Sequence, residues 1–337
     1  MTAKRAGRDY PSWLKKRIPA GPAAARVRDI LSGLRLNTVC GSALCPNMAE
    51  CFHNGTATFL IMGPNCTRNC SFCAVDKAPA APLDPSEPGR VAEAAVLLGL
   101  RHAVVTCVTR DDLPDGGAAH FAATITAIRK RSNAAIEVLT SDFGGSKSSV
   151  ETVVAAGPDV FNHNVETVPR LYAAVRPQAD YARSLEVLRI AGDCPPTARG
   201  DCPSFSSGKR GPSPSRFPSP SGLLSEASAK ERRGTKGEGT AASRPRLVTK
   251  SGIMLALGET LEEVESVFAD LRAAGVSIVT AGQYLCPSKN HIPVARHVTP
   301  AEFEYLQRRA LEMGFTTAFC APFVRSSYHA GEVFSGM

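Results

Sequence analysis

Cys66, Cys70 and Cys73 stand in one short stretch, Cys66-Thr67-Arg68-Asn69-Cys70-Ser71-Phe72-Cys73, with C-x3-C-x2-C spacing. Three thiolates on one loop can hold three irons of a [4Fe–4S] cluster and leave the fourth without a protein ligand. Such an iron adds nothing to electron storage, but it can chelate a substrate or cosubstrate. The alternative is a zinc ion completed by an outside residue such as His53. Structural zinc usually wants paired C-x2-C units, and this loop has one such pair. The loop directly follows an apolar run, Thr58–Met62, which favours the cluster. A second set, Cys40, Cys45 and Cys51, has C-x4-C-x5-C spacing and precedes that run. Alone it reads as zinc or as buried thiols. Beside the first set, a second cluster is the economical reading, and one of its irons again needs a ligand from elsewhere.

Both loops need a scaffold that fixes them. Val27, Ile30, Leu31 and Leu34 give residues 21–36 a helical apolar stripe, and residues 37–55 read as a cysteine-rich loop. Strand candidates are Thr58–Met62, Ala103–Val108, Ile136–Leu139, Val160–Asn164, Gly252–Leu255, Ile278–Gln283 and Thr317–Ala321. Helical patterns fall near 89–99, 117–131, 147–156, 167–174, 180–191, 260–274 and 300–313. Repeated strand-then-helix predicts an α/β fold whose parallel sheet closes, wholly or in part, as a TIM-like β/α barrel. A doubly wound open sheet is the rival. In a barrel, chemistry belongs at the carboxyl ends of the strands, where Cys66–Cys73 would lie.

The chain has 337 residues, 11 cysteines and a formal charge of +8. Residues 1–20 and 193–246 each carry +5, which leaves the remainder at −2. A near-neutral body gives no support to nucleic-acid binding, and the basic segments read as solvated charge. No apolar run of about 18 residues occurs, so no membrane span is expected. The start lacks an apolar signal core. Its basic character faintly resembles a transit peptide, but Trp13–Pro19 reads as an ordered lead-in. The cytoplasm is the expected compartment, with mitochondrion or plastid the alternative. Residues 193–246 hold ten Ser, eight Pro and seven Gly with two aromatics, too little apolar surface to offset ordering entropy. They are expected to be a disordered insertion, with Cys194 and Cys202 incidental. The expected layout is thus a lead-in with the second cysteine loop (1–55), a barrel (56–192 and 247–323), the insertion (193–246) and a tail (324–337).

The Cys66–Cys73 spacing, with Phe72 before the last cysteine, resembles the radical S-adenosylmethionine superfamily. The two cysteine sets in this order resemble the lipoyl synthases. So do Thr109–Ala118, Phe161–Val168, Val175-Arg176-Pro177, Thr249–Gly252, Gly258-Glu259-Thr260, Gly282–Leu285 and Val324-Arg325-Ser326-Ser327-Tyr328-His329-Ala330. The resemblance covers 11–192 and 247–337. It implies two [4Fe–4S] clusters and S-adenosylmethionine. Cys66, Cys70 and Cys73 would hold the radical-generating cluster. Cys40, Cys45 and Cys51 would hold a sacrificial auxiliary cluster, with Ser327 on its remaining iron. The implied reaction inserts sulfur at C6 and C8 of a protein-bound octanoyl-lysine. The implied partners are an octanoylated lipoyl-carrier protein, either a lipoyl domain or a glycine cleavage H protein, and a ferredoxin- or flavodoxin-like electron donor.

Gly116 and Gly117 become candidates for close backbone approach to the methionyl end of S-adenosylmethionine. Asn164 and Glu166 become candidates for its ribose or sulfonium, and Arg176 for its carboxylate. Each of these residues also reads as an ordinary cap or ion-pair member, and His163 as a satisfied core histidine. Some positions depart from the family pattern. Cys107, Cys286 and Cys320 stand where serine, glutamine, and serine or alanine are usual, and they read as small core residues. Ser42-Ala43 replaces a usual Glu-Ala. Two other classes remain open on sequence: another two-cluster radical enzyme of the methylthiotransferase kind, and a non-enzymatic iron–sulfur or zinc protein.

Overall fold

The computed structural model describes residues 10–16, 22–194, 247–328 and 330–331. Of the expected insertion only Asp193 and Cys194 are described; Cys202 and the rest lie outside the described residues. Helix α1 (Pro22–Gly33) leads to β1 (Asn37–Thr38), α2 (Val39–Ser42) and α3 (Met48–His53). The chain then alternates: β2 (Thr58–Ile61), α4 (Glu87–Leu97), β3 (His102–Cys107), α5 (Ala118–Arg131), β4 (Ala135–Leu139), α6 (Lys147–Ala155) and β5 (Val160–Asn162). After α7 (Tyr172–Val175) and α8 (Tyr181–Asp193) come β6 (Val248–Leu255), α9 (Leu261–Ala273), β7 (Ile278–Gln283), α10 (Pro300–Glu312) and β8 (Thr317–Ala321).

The strands neighbour one another in chain order, β1 to β8, and every pairing from β2 onward is parallel. A doubly wound sheet reverses its order at a switch point. This sheet never does, so it is a partial β/α barrel. Its first edge is β1, which pairs antiparallel with β2 through Asn37–Leu60 and Thr38–Phe59.

Alternation along the strands assigns the two faces. Ile253, Leu255, Val279 and Ala281 pack against Val264, Val267, Phe268, Phe303 and Leu306 of α9 and α10. Phe59, Ile61, Ala103, Val105, Ile136, Val138 and Phe161 likewise face the helix layer formed with α1 and α4–α6. Each fully buried aliphatic or aromatic side chain contributes about 1.5–3 kcal/mol. Capping boxes fix the starts of two of these helices. Thr260 and Thr299 accept the Glu263 and Glu302 amides at 3.3 Å, and those carboxylates accept the cap amides in return.

The intervening residues face inward and are unusually polar. Lys250 donates to Glu137 at 2.9 Å, Asn162 donates to the same oxygen at 3.0 Å, and His102 lies 3.2 Å from the other. This network explains a misplaced boundary. The strand expected over Gly252–Leu255 starts earlier: β6 begins at Val248, and Lys250 within it is buried against Glu137. The cysteine-rich stretch 37–55 also differs from a loop. Thr38 accepts the Gly41 amide at 3.2 Å and starts a short helix, and a second follows. The 167–174 pattern divides into a 3-10 turn, Pro169–Leu171, and α7. Helix α8 runs through Asp193, so regular structure extends past the expected start of the insertion, and Cys194 packs on the core.

The C-terminal tail lies on the inner face, where two glycines make room for it. A methyl group on Gly282 would sit 2.0 Å from the Val324 carbonyl oxygen. One on Gly252 would sit 2.6 Å from Ser326 Oγ, 2.7 Å from Thr280 Oγ1 and 2.9 Å from Asn164 Oδ1. Ser326 donates to Asn164 Oδ1 at 2.8 Å. We therefore expect Gly282→Ala to cost about 1–3 kcal/mol in urea denaturation and to expose the tail to proteolysis. Gly33→Ala, where nothing lies within 4 Å, is the control and should stay within about 0.5 kcal/mol of the parent. A protected tail in Gly282→Ala would contradict this packing.

Candidate functional site

The Cys66–Cys73 loop starts from a strained residue. Met62, just past β2, has φ 70°, a left-handed conformation that costs a non-glycine residue about 1–3 kcal/mol. Its neighbours hold it there. Met62 N donates to Glu87 at 2.8 Å, and Arg110 donates to the Met62 carbonyl at 3.2 Å. Glu87 also meets His120 at 2.7 Å, and Arg110 is forked onto Asp112 by two bonds of 2.8 Å. The chain thus leaves the carboxyl end of β2 in a fixed direction.

Arg68, between the first two cysteines, anchors the loop. It donates twice to Asp111 at 2.8 Å and once to Asp142 at 2.6 Å. Burial opposes the Asp142 charge, but the Arg68 guanidinium outweighs it and holds the carboxyl at about 2. The far end of the loop is tied to other rim segments. Ser71 N donates to the Val175 carbonyl at 3.0 Å, Ile292 N donates to the Ser71 carbonyl at 3.0 Å, and His291 lies 3.3 Å from the Cys73 carbonyl. The amides of Thr109 and Arg68 point at Cys66 Sγ, at 3.3 and 3.5 Å.

The three thiols lie within one another's electrostatic reach. Burial raises Cys70, with the charges of Glu166 and Cys66 adding and that of Arg176 opposing. Burial likewise pushes Cys73 up to about 11. Among the described residues no three His, Cys, Asp or Glu side chains converge closely enough for a single metal ion. A cubane, which spreads its thiolates over separate irons, does not require such convergence. Metal binding must expel the thiol protons, so loading is favoured at alkaline pH.

Glu166 and Arg176 stand beside Cys70 at the carboxyl end of β5. Glu166 has φ 65°, is raised by burial, and accepts from Asn164 at 3.1 Å. Arg176 gives one nitrogen to the carbonyls of Asn164 and Val165, at 2.9 and 3.2 Å. Its buried Nε has no partner among the described residues. That is the donor a carboxylate-bearing cosubstrate would need there. Asn164 is committed on both sides, to Glu166 and to Ser326, and serves as a bridge between them. Gly116 and Gly117 have φ 60° and 88°, and a Cβ on them would meet Phe143 at 3.1 Å and Met62 at 2.1 Å. Packing against protein atoms therefore already accounts for both glycines. Asp115 accepts the amides of Gly117 and Ala119 at 2.9 Å and starts α5.

The second constellation lies at the other end of β2. Cys40 engages Thr58, the first residue of β2, and Thr56 donates to the Cys51 carbonyl through N (2.8 Å) and Oγ1 (3.0 Å). Burial, then the charges of Cys40, Cys45 and Glu50, push Cys51 up to about 12. The two thiol sets thus flank β2, whose four residues span about 13 Å. The tail closes over this second set. Asn47 donates to the Phe323 carbonyl at 2.7 Å, and Tyr328 donates to Glu50 at 2.7 Å. Lys16, from the lead-in, pairs with Glu50 and lies 4.8 Å from the Tyr328 ring centre. Ser327 and Cys51 line one cavity of about 680 Å³. Arg325 lies between the charges of Cys45 and Glu166, and burial pushes its guanidinium below its ordinary value.

Sequence reading missed Arg68, Asp142, Glu87 and Arg325 as organisers of the site. Arg68 was visible between its cysteines, but its partners lie 43 and 74 residues away. Cys107 lies near Cys66 at the end of β3, and burial pushes it up to about 12.

The Radical SAM superfamily profile matches residues 60–195. The lipoyl synthase of Rubrobacter xylanophilus is 48% identical over 96% of this chain and 85% of its own length. That of Caldanaerobacter subterraneus subsp. tengcongensis is 48% identical over 95% of each chain. The solved structure of methylornithine synthase matches with a TM-score of 0.49 and 12% identity over 88% of this chain and 74% of that one.

Two predictions follow from the site's ionic structure. Arg68→Met leaves the buried Asp142 with only the longer Arg183 ion pair at 3.4 Å and should cost about 3 kcal/mol in urea denaturation of the iron-free chain. Asp111→Asn, at a carboxylate 42% exposed, should cost under about 1 kcal/mol. Equal losses would refute the assignment of Asp142 as the anchor. His163 is buried, lies 2.9 Å from the Thr140 carbonyl through Nδ1, and leaves Nε2 unpaired. Burial, aided by Arg176, holds it at about 4. The unfolded ring binds a proton near pH 6.5 and the folded one does not. Stability is therefore complete above about pH 6.5 and falls toward pH 4, by on the order of 3 kcal/mol. Denaturation from pH 8 to pH 4.5 should show this slope, and His163→Gln should flatten it.

Proposed function

The chain belongs to the lipoyl synthase family, and from that premise we propose that it converts a protein-bound octanoyl-lysine into lipoyl-lysine. It is a radical S-adenosylmethionine enzyme and a sulfur-inserting transferase. One observation carries the finer reading: two three-thiol sets stand at opposite ends of one strand, and a serine of the docked tail lines a cavity with the second.

When bound, the two clusters and S-adenosylmethionine supply a 5′-deoxyadenosyl radical and two sulfur atoms, which replace hydrogens at C6 and C8. Unactivated C–H bonds carry no acidic proton, so the side chains need not act as acids or bases. Their work is binding and exclusion. Cys66, Cys70 and Cys73 hold the first cluster, on a loop that Arg68 immobilises. Arg176 takes the methionyl carboxylate on its unpaired Nε, Glu166 lies within reach of the ribose, and the backbone at Gly116 and Gly117 borders the methionyl end. Cys40, Cys45, Cys51 and Ser327 hold the auxiliary cluster. A hydroxyl is a harder and weaker partner for iron than thiolate, so Ser327 would be the weakest-held of the four ligands. The docked tail covers the inner face of the barrel, which limits access of dioxygen and stray hydrogen donors that would quench a carbon radical. The octanoyl chain arrives on a carrier protein, electrons come from a ferredoxin- or flavodoxin-like donor, and the bacterial relatives support a cytoplasmic enzyme.

The test is anaerobic reconstitution followed by mass spectrometry of an octanoyl-lysine peptide with S-adenosylmethionine and reductant. A gain of two sulfurs and about eight irons per chain is expected. Cys45→Ala should abolish sulfur gain and spare 5′-deoxyadenosine release. Loss of both together would break the division of labour, and a chain that loads zinc alone would overturn the reading.

A further inference from the structure

The cavity beside the second thiol set opens at the end of the barrel where catalysis is not expected. In β/α barrels the reacting groups gather at the carboxyl ends of the strands. Cys66–Cys73, Glu166 and Arg176 all lie there. This cavity is lined instead by Thr58, His102 and Ala135, the first residues of β2, β3 and β4. All three share the inward parity of Glu137 and Lys250. Cys51 and Ser327 form part of the same wall. Both are half-buried, whereas Cys40 is buried. The volume of about 680 Å³ accommodates on the order of twenty waters.

We infer that this cavity is a separate port through which ferrous iron and sulfide reach Cys51 and Ser327 from the amino end of the barrel. The inference rests on the auxiliary reading of Cys40, Cys45 and Cys51 given above. A cluster that gives up sulfur has to be resupplied. With one shared mouth, resupply would wait for the acyl product to leave. A second mouth removes that wait. The cavity has room for hydrated ions and polar groups to meet them. Glu50, Asn54, Thr56, Arg101 and Asn133 set polar and charged groups among apolar ones such as Leu98, a mixed wall around Cys51. The far side is closed by tail residues Ala330 and Gly331, the latter tight enough that a Cβ would lie 3.1 Å from His102. Binding there exchanges thiol protons for ferrous iron with no change of oxidation state, and the two-electron oxidation that turns four ferrous ions and four sulfides into a [4Fe–4S]2+ cluster falls to a one-electron acceptor of the ferredoxin or flavodoxin class.

Access is measurable without turnover. In the full chain stripped of iron, iodoacetamide alkylates thiols: the thiolate sulfur bonds to carbon, iodide leaves, and the thiol proton goes to solvent. Peptide mass spectrometry follows Cys51 and Cys70 separately. Ala135→Trp fills the port and should slow Cys51 labelling severalfold while leaving Cys70 unchanged. Isotopically enriched ferrous iron, followed by Mössbauer spectroscopy, should enter the second thiol set more slowly in parallel. Asn133→Trp, at an exposed rim position, is the second variant should the first fail to fold. Cys51 labelling that neither tryptophan slows, or Cys70 labelling slowed equally, would overturn the port. Labelling reads access alone, so a failed port leaves the sulfur-insertion assay untouched, and a failed assay leaves the labelling result standing.

Discussion

Gly282 has no room for even one methyl group, because the Val324 carbonyl occupies that space. Much of the arrangement depends on this contact. A partial barrel with two free edges has an open seam, and its interior is unsuited to a reactive carbon radical unless something fills it. Here the filler is the chain's own tail. Glycines at 252 and 282 lower the inner wall where the tail lies, Asn164 bonds Ser326, and Tyr328 reaches Glu50 on the second cysteine segment. That segment is therefore held by the end of the chain as well as by its own short helices. Ser327, which lines a cavity with Cys51, follows directly from the same contacts.

Backbone strain is concentrated where the chemistry is expected. Met62, Phe143, Glu166 and Ala256, all non-glycine, take positive φ, and each follows the carboxyl end of an inner strand, β2, β4, β5 or β6. Regular turns would carry the chain down to the next helix. These residues instead redirect it across the barrel mouth. The clamps are specific: Glu87 and Arg110 on Met62, paired backbone bonds to β6 on either side of Glu166, and Glu259 on the amide of Ala256. Conformations that cost about 1–3 kcal/mol each persist only where surroundings fix them this firmly.

The legible part of the sequence was its local part. Cysteine spacing identified both thiol sets, and alternating apolar runs gave the seven parallel strands and their order of helices. The misplaced start of β6 shows where such reading fails. Lys250 belongs to that strand only because it is neutralised by Glu137, which lies 113 residues away and outside any local pattern. Arg68 is a similar case. Gly252 and Gly282 looked like family signature residues, and their physical reason became visible only with the tail in place. Gly116 and Gly117 went the other way: proposed for a ligand, they are explained first by Met62 and Phe143. The net charge of +8 was the least informative number, since it resides mostly in peripheral segments.

The polar interior follows from how a half-barrel must be stabilised. A closed barrel can fill its centre with layers of branched apolar side chains. This one cannot, because its centre must remain available to a tail, a cosubstrate and an acyl chain. The inner wall near the amino end is instead held by a charged network, Lys250–Glu137–His102 with Asn162. Such a network adds little net stability over apolar packing, since desolvation takes back most of the attraction. What it does supply is a fixed spacing between β3, β4, β5 and β6 that does not require atoms filling the space above them. The same logic separates the two thiol sets. With the middle of the barrel kept open, each set is anchored at its own end of β2, one by Arg68 and the carboxyl-end loops, the other by Thr58 and the docked tail. The reacting carbon then lies in the one region that neither anchor has to fill.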